Sequence, residues 1–174
     1  MDGITHPISR LELREIARKF RQIFKLTNLY VNVKFLIEVI NYFFPKCFIL
    51  IVPDDEWSED FPSLIEKEND SSYVIKIKDS VYERACKGSG GDRMHIIHEI
   101  AHYILINECG YAPLTARSYG DIKVKYTPSS IEWQAKALAG EILMDYEMTK
   151  NMSLQEISIK CGVSIQAAAK RLDY

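Results

Sequence analysis

The chain has 174 residues, 47% of them apolar, and a formal net charge of −2. That suits one domain with a real core and excludes a surface coated for nucleic acid. The longest uninterrupted apolar run, CFILIV (47–52), is far too short to cross a bilayer.

The amino-terminal MDGITHPISRLELRE has no apolar stretch before its charges begin, so it does not read as a secretory signal. Ser9 and Glu12 make a capping-box pattern, and Leu13, Ile16, Ala17, Phe20, Ile23 and Phe24 recur at helical spacing. Together they predict a helix over about residues 10–26. YVNVKFLIEVINYFF (30–44) predicts a second helix ending before Pro45. CFILIV then reads as a buried strand closed by Pro53. Residues 54–70 carry eight acidic side chains and one lysine, the composition of a solvated loop.

SYVIKIKD (72–79) alternates, with Tyr73, Ile75 and Ile77 on one face and Val74, Lys76 and Lys78 on the other. It reads as a half-exposed edge strand, to which an extended peptide could add by main-chain hydrogen bonds. Ser80 and Glu83 suggest a capping box for a short helix. GSGGD (88–92) lacks the spacing of a phosphate loop and reads as a turn, with Asp92 as N-cap of a helix running to Gly110. A long tyrosine-bearing loop follows over 107–129, of the kind that lines a site. A helix over about 130–147 comes next, and Ser153 and Glu156 open the last unit.

The segment HIIHEIAHYIL (95–105) carries the chemistry. On a helix His98 and His102 sit one above the other and can reach one ion. Glu99 is turned roughly 100° from His98, poorly placed to ligate but able to hydrogen-bond a water at the metal. His95 and His102 stand about 10.5 Å apart along the axis, so His95 is second shell or core at best. His6, in the amino-terminal tail, reads as a solvent residue.

Two carboxylates on SIEWQAKALAGEILMD (130–145) compete to complete the site. Nine positions separate Glu132 from Glu141, which puts them on opposite faces of a helix. Glu132 falls in the arc of Ile131, Ala135, Ala139, Ile142, Leu143 and Tyr146, the expected buried face, while Glu141 points away with Gln134. Glu132 reads either as a ligand or as the N3 glutamate of a capping box begun by Ser129. Glu108, close after the motif, is a further candidate.

These blocks resemble the ImmA/IrrE family of bacterial metallopeptidases. The likeness runs over about residues 30–172, strongest in RMHIIHEIAHYIL (93–105), IEWQAKALAGEILM (131–144) and GVSIQAAAKRL (162–172). Arg93, Met94, Glu132, Ala135, Ala139, Leu143 and Met144 follow the family pattern. Lys136, Leu138 and Asp145 replace its usual asparagine, phenylalanine and proline, and His95 stands where threonine is common.

The resemblance implies an α+β fold, a mostly helical zincin-like metallopeptidase domain with a small β-sheet. Its boundaries are 1–150, with 151–174 as a small helix-turn-helix-like unit packed on it. It implies zinc held by His98, His102 and Glu132, with Glu99 as the base. The substrate implied is a partner protein, a helix-turn-helix repressor of a mobile element or stress response. His95, Tyr103, Tyr111, Arg117 and Tyr119 are open candidates to steady the oxyanion.

The terminal SLQEISIKCGVSIQAAAKRL presents only Lys170 and Arg171 as cations on its second helix. That is too little for firm phosphate contact, so DNA binding is not expected. Cys47, Cys86, Cys109 and Cys161 form no C-x-x-C pair and read as reduced thiols of a cytoplasmic protein. The rival function is a non-proteolytic regulator that binds a repressor or DNA with the same fold, its zinc structural or absent.

Overall fold

The computed structural model describes residues 5–69, 71–111 and 129–172. Helix α1 (Arg10–Ile23) opens with both halves of the Ser9–Glu12 capping box formed. Helix α2 (Val33–Phe43) is capped by the Asn32 side chain, which accepts from the Phe35 N–H, and it ends before Pro45.

Strands β1 (Cys47–Val52), β2 (Ser63–Lys67) and β3 (Tyr73–Lys78) make one mixed sheet in the order β1-β3-β2. β3 runs parallel to β1, with Ile49 opposite Ile75, and antiparallel to β2, with Ile65 opposite Ile75. The register lines up Ile49, Ile75 and Ile65 on the helix-facing side. Leu50, Lys76 and Leu64 line up on the other side.

Helices α3 (Asp79–Cys86) and α4 (Gly90–Tyr103) follow, and α4 relaxes into a π-helical turn at Ile104–Glu108. Helix α5 (Ile131–Leu143) lies against α4 and α1, and α6 (Tyr146–Thr149), α7 (Leu154–Cys161) and α8 (Ile165–Leu172) complete the chain. Leu13, Phe20, Leu36, Ile75, Ile96, Ile100, Leu138 and Ile142 are fully buried and belong to one core, which also takes in Ile157, Cys161 and Ala168 of the terminal helices. The molecule is thus α+β, helices dominating and a small sheet covering one side of α4. No helix among the described residues is long and apolar enough to cross a membrane.

Arg93, at the start of α4, ties this helix to the terminal unit. Its guanidinium is wholly buried and donates to the carbonyls of Val31 (2.7 Å), Cys161 (2.8 Å) and Gly162, with its flat face 4.0 Å over the Tyr30 ring. Gly162 closes α7 with φ +63°, and a Cβ there would stand 2.5 Å from Arg93 Nη1. Only glycine fits both the backbone and the neighbour.

Several expectations fail locally. CFILIV is not a buried strand: β1 lies at the sheet edge, with Phe48 41% and Leu50 49% exposed. SYVIKIKD is not an edge strand. β3 is paired on both sides, which removes the peptide-addition site expected there. The acidic stretch is not all loop, because SLIEK within it forms β2.

Ser80 makes no capping box. α3 begins after Lys78 with no side-chain cap, and the Ser80 N–H instead donates to Asp54 Oδ1 at 2.9 Å. Ser89, not Asp92, caps α4, while Asp92 takes a two-pronged bond from Arg84, both contacts at 2.9 Å. The helix expected over 130–147 is divided into α5 and the short α6. Of the loop expected over 107–129, residues 112–128, with Arg117 and Tyr119, lie outside the described residues.

Candidate metal centre

α4 places His98 and His102 on one face by their four-residue spacing, and α5, packed against it, delivers Glu132 to the same point. His98 Nε2 and His102 Nε2 are 3.1 Å apart. Glu132 Oε2 lies 3.3 Å from the first and Oε1 3.2 Å from the second. Glu132 is not a capping glutamate. Ser130 caps α5, its hydroxyl accepting from the Trp133 N–H.

The electrostatics of this cluster are compatible with a cation. If both imidazoles direct an N–H at Glu132, two N–H groups stand within 3.1 Å of each other. If one ring turns a lone pair inward, the carboxylate loses a donor. One cation between the three could take a lone pair from each residue. His98, His102 and Glu132 each offer one ligand atom, all within 4.8 Å of one another, so the group could hold a metal ion. Burial holds the His98 ring toward its neutral, ligating form, and the charges of His102 and Lys136 act in the same direction against the pull of Glu132. Hydrogen bonds from His102 and His98 hold the Glu132 carboxyl far below its ordinary range. Glu132 is 28% exposed, which opens the cluster to solvent on that side.

Glu99 lies beside the cluster, 9% exposed. Burial, reinforced by the Glu132 charge, pushes its carboxyl up to about 8, with the backbone N–H of Ile65 on β2 opposing the shift. A buried carboxyl poised near neutrality next to a ligand cluster can take up and return a proton. The contributions of Ile65 and Lys136 leave no signal in the motif. The first is a main-chain donor supplied by strand pairing, and the second is an exposed lysine four residues past Glu132.

His95 is exposed and so is not core. Tyr103 is buried and its hydroxyl is committed to Glu108 at 2.9 Å and to Asn107 at 3.0 Å, which occupies Glu108 as well. Tyr111 is half-buried at the end of the π turn, its N–H bonded to the Leu105 carbonyl. His6 is exposed, as expected.

The faces expected of α5 are inverted for its second carboxylate. Glu141 and Gln134 are each 1% exposed. Glu141 is received by Arg10 at 2.7 Å, Arg14 at 3.3 Å and Arg171 at 3.6 Å. Burial next to three guanidiniums makes it a structural ion cluster remote in role from the histidines.

No curated protein matches the chain. The family model of the IrrE N-terminal-like domain, Peptidase_M78, matches residues 61–173. That stretch begins later than the likeness read from about residue 30, and it spans β2, the histidine helix, Glu132 and the terminal helices. The chain belongs to the IrrE N-terminal-like, M78 peptidase family, a family of metallopeptidases.

Proposed function

We propose that this protein is a zinc-dependent endopeptidase that hydrolyses peptide bonds of a partner protein, with His98, His102 and Glu132 holding the metal and Glu99 as general base. One observation carries the reading: two imidazole nitrogens 3.1 Å apart, each faced by one oxygen of the Glu132 carboxylate at 3.2–3.3 Å, beside a buried carboxyl. A tetrahedral zinc with bonds of about 2.0–2.1 Å sets its ligands about 3.3–3.4 Å apart, and one donor atom from each of the three residues lies within 4.8 Å of the others, so the donor set suits such an ion. When bound, zinc supplies a Lewis acid that polarises the scissile carbonyl and favours ionisation of a water.

The protein's own groups do the rest. Glu99 takes the proton of the attacking water on its carboxylate and returns it to the leaving amide nitrogen. Its burial keeps bulk water from competing for that proton. His98, kept neutral by burial, presents a lone pair rather than a charge. Arg93, bonded to the carbonyls of Cys161 and Gly162, holds the start of α4, and so the direction in which its histidines point.

The partner we propose is the one the family likeness implies, a helix-turn-helix repressor of a mobile element or stress response, met in the cytoplasm. Arg171, one of the two cations of the last helix, is 3% exposed and bonded to the Met144 carbonyl. It supports a packed cap rather than a phosphate-binding surface.

The test is zinc content and cleavage of a repressor encoded beside this chain, for the parent and Glu99→Gln. The expected result is one zinc per chain in both, with cleavage lost in the variant by a factor of about 10²–10⁴. A Glu99→Gln protein that cleaves at the parental rate refutes the mechanism.

A further inference from the structure

The loop 53–62 and the outer face of the sheet have no part in the site above. β1 turns Phe48, Leu50 and Val52 away from the core, and β2 adds Leu64 to the same face. Because β3 separates β1 from β2, the connection between them must pass over the end of β3. It leaves a cleft of about 200 Å³, floored by Leu50, Val52, Leu64 and Trp57 with the paired Lys76 and Glu66 among them, and lipped by Glu56 and Glu59. The volume is below the about 300–1,000 Å³ of small-molecule pockets and suits side chains of a docked segment.

The cleft is already built. The Trp57 indole N–H donates to the carbonyls of Glu59 (2.9 Å) and Phe61 (3.0 Å), which fixes the loop on itself. Asp54 accepts from the Ser80 N–H at 2.9 Å and pairs with Lys78 at 3.6 Å, which fixes it to the sheet.

Its charge is one-sided. Asp54, Asp55, Glu56, Glu59, Asp60 and Glu66 stand here with Lys76 and Lys78. The lysines are taken, Lys76 by Glu66 and Lys78 by Asp54. Asp55, Glu56, Glu59 and Asp60 are exposed and have no cationic partner among the described residues. A largely apolar floor, its one lysine already paired, inside an unneutralised carboxylate lip repels phosphates, anionic bilayers and a second copy of the same face. It fits a chain whose apolar side chains alternate with lysines or arginines. The alkyl stems of those cations would lie on the leucines, and their heads would reach the carboxylates.

We propose that this cleft is a docking site for a protein segment in which apolar side chains are flanked by lysines or arginines, separate from the metal centre and independent of its chemistry.

The test uses the full chain carrying Trp133→Phe, which leaves Trp57 as its single tryptophan. The probe is a short peptide alternating lysine with valine, with a glutamate–valine peptide as control, titrated at low salt and followed by Trp57 fluorescence. Expected is a saturable change with the lysine peptide alone. It should be about tenfold weaker in Glu56→Lys with Glu59→Lys and weaker again as salt is raised. Calorimetry on the unmodified chain gives the same reading should Trp133→Phe fail to fold. Three results overturn the proposal: no saturable binding, unchanged affinity in the double variant, or equal binding of the glutamate peptide. A dimer abolished by the double variant would also overturn it, by assigning the face to a second copy. No readout involves cleavage, so failure here and failure of the peptidase reading are distinguishable.

Discussion

Glu141→Gln should be the most damaging isosteric change outside the metal centre. The carboxylate is 1% exposed and faces three guanidiniums, of which that of Arg171 is itself buried. Removing one partner of a buried ion pair costs about 3–5 kcal/mol. Two features place the cost at the low end. Arg10 and Arg14 are 14% and 22% exposed and can turn toward water. Arg171 keeps the Met144 carbonyl at 3.2 Å and the Tyr146 ring at 5.0 Å.

A loss of about 3 kcal/mol follows, or roughly 6–12 °C in Tm for a chain of this size. Urea and thermal unfolding of the metal-free chain at pH 7 measure it. The paired change Glu141→Leu with Arg171→Met should recover most of the loss, because replacing both partners by apolar groups removes the stranded charge. A single variant within about 0.5 kcal/mol of the parent, or a paired variant whose cost is the sum of the singles, refutes the cluster's proposed role.

Other changes probe the rest of the framework. Glu132→Ala should strip zinc from the folded chain, measured by metal analysis beside circular dichroism, whereas Glu99→Gln should not. Gly162→Ala must hold a side chain at φ +63° with its Cβ against Arg93 and Tyr30; it should cost about 2–4 kcal/mol in urea unfolding. Asp92 is held below its ordinary range by the Arg84 fork. Its contribution is therefore present above about pH 4 and lost as pH falls through the lowered value. Since Arg84 is 53% exposed, Asp92→Asn should cost at most about 1 kcal/mol at pH 7 and nothing once the parent is protonated. Urea midpoints across pH measure that convergence.

Element identity was legible in the sequence wherever a local rule decides it. The capping box at Ser9 forms as its spacing predicts, but the same spacing at Ser80 and at Ser129 forms none, because the box also needs the helix to start at that serine. Period-two alternation in SYVIKIKD likewise reported a face, with Ile75 and Ile77 buried. It could not report neighbours. Lysines on the outer face suggested an edge, yet in the sheet they are paired by Glu66 and Asp54, which come from the acidic stretch that looked like loop. The continuous apolar run of β1 suggested burial on both faces. One of those faces is the cleft beneath the acidic loop, and nothing local to CFILIV tells the two apart.

The histidine pair was legible because one helix sets its geometry. Glu132 required two helices, and the arguments that reached it need correcting. Its buried arc was assigned on the premise that α5 has one apolar face, but Gln134, Ala135, Ala137, Leu138, Ala139, Gly140 and Glu141 are all buried. On such a helix periodicity cannot say which glutamate lies inward. The decision comes from what meets each carboxylate. Arg10 and Arg14 arrive from 131 and 127 residues away and Arg171 from the last helix, and together they make deep burial of Glu141 possible. None of these arginines reaches Glu132, whose charge at the other end of α5 faces two imidazoles on α4. The nine-residue spacing that separates the two glutamates by face is therefore the local fact, and the arginines of α1 and α8 are what convert it into one buried ion cluster and one carboxylate left open beside the histidines.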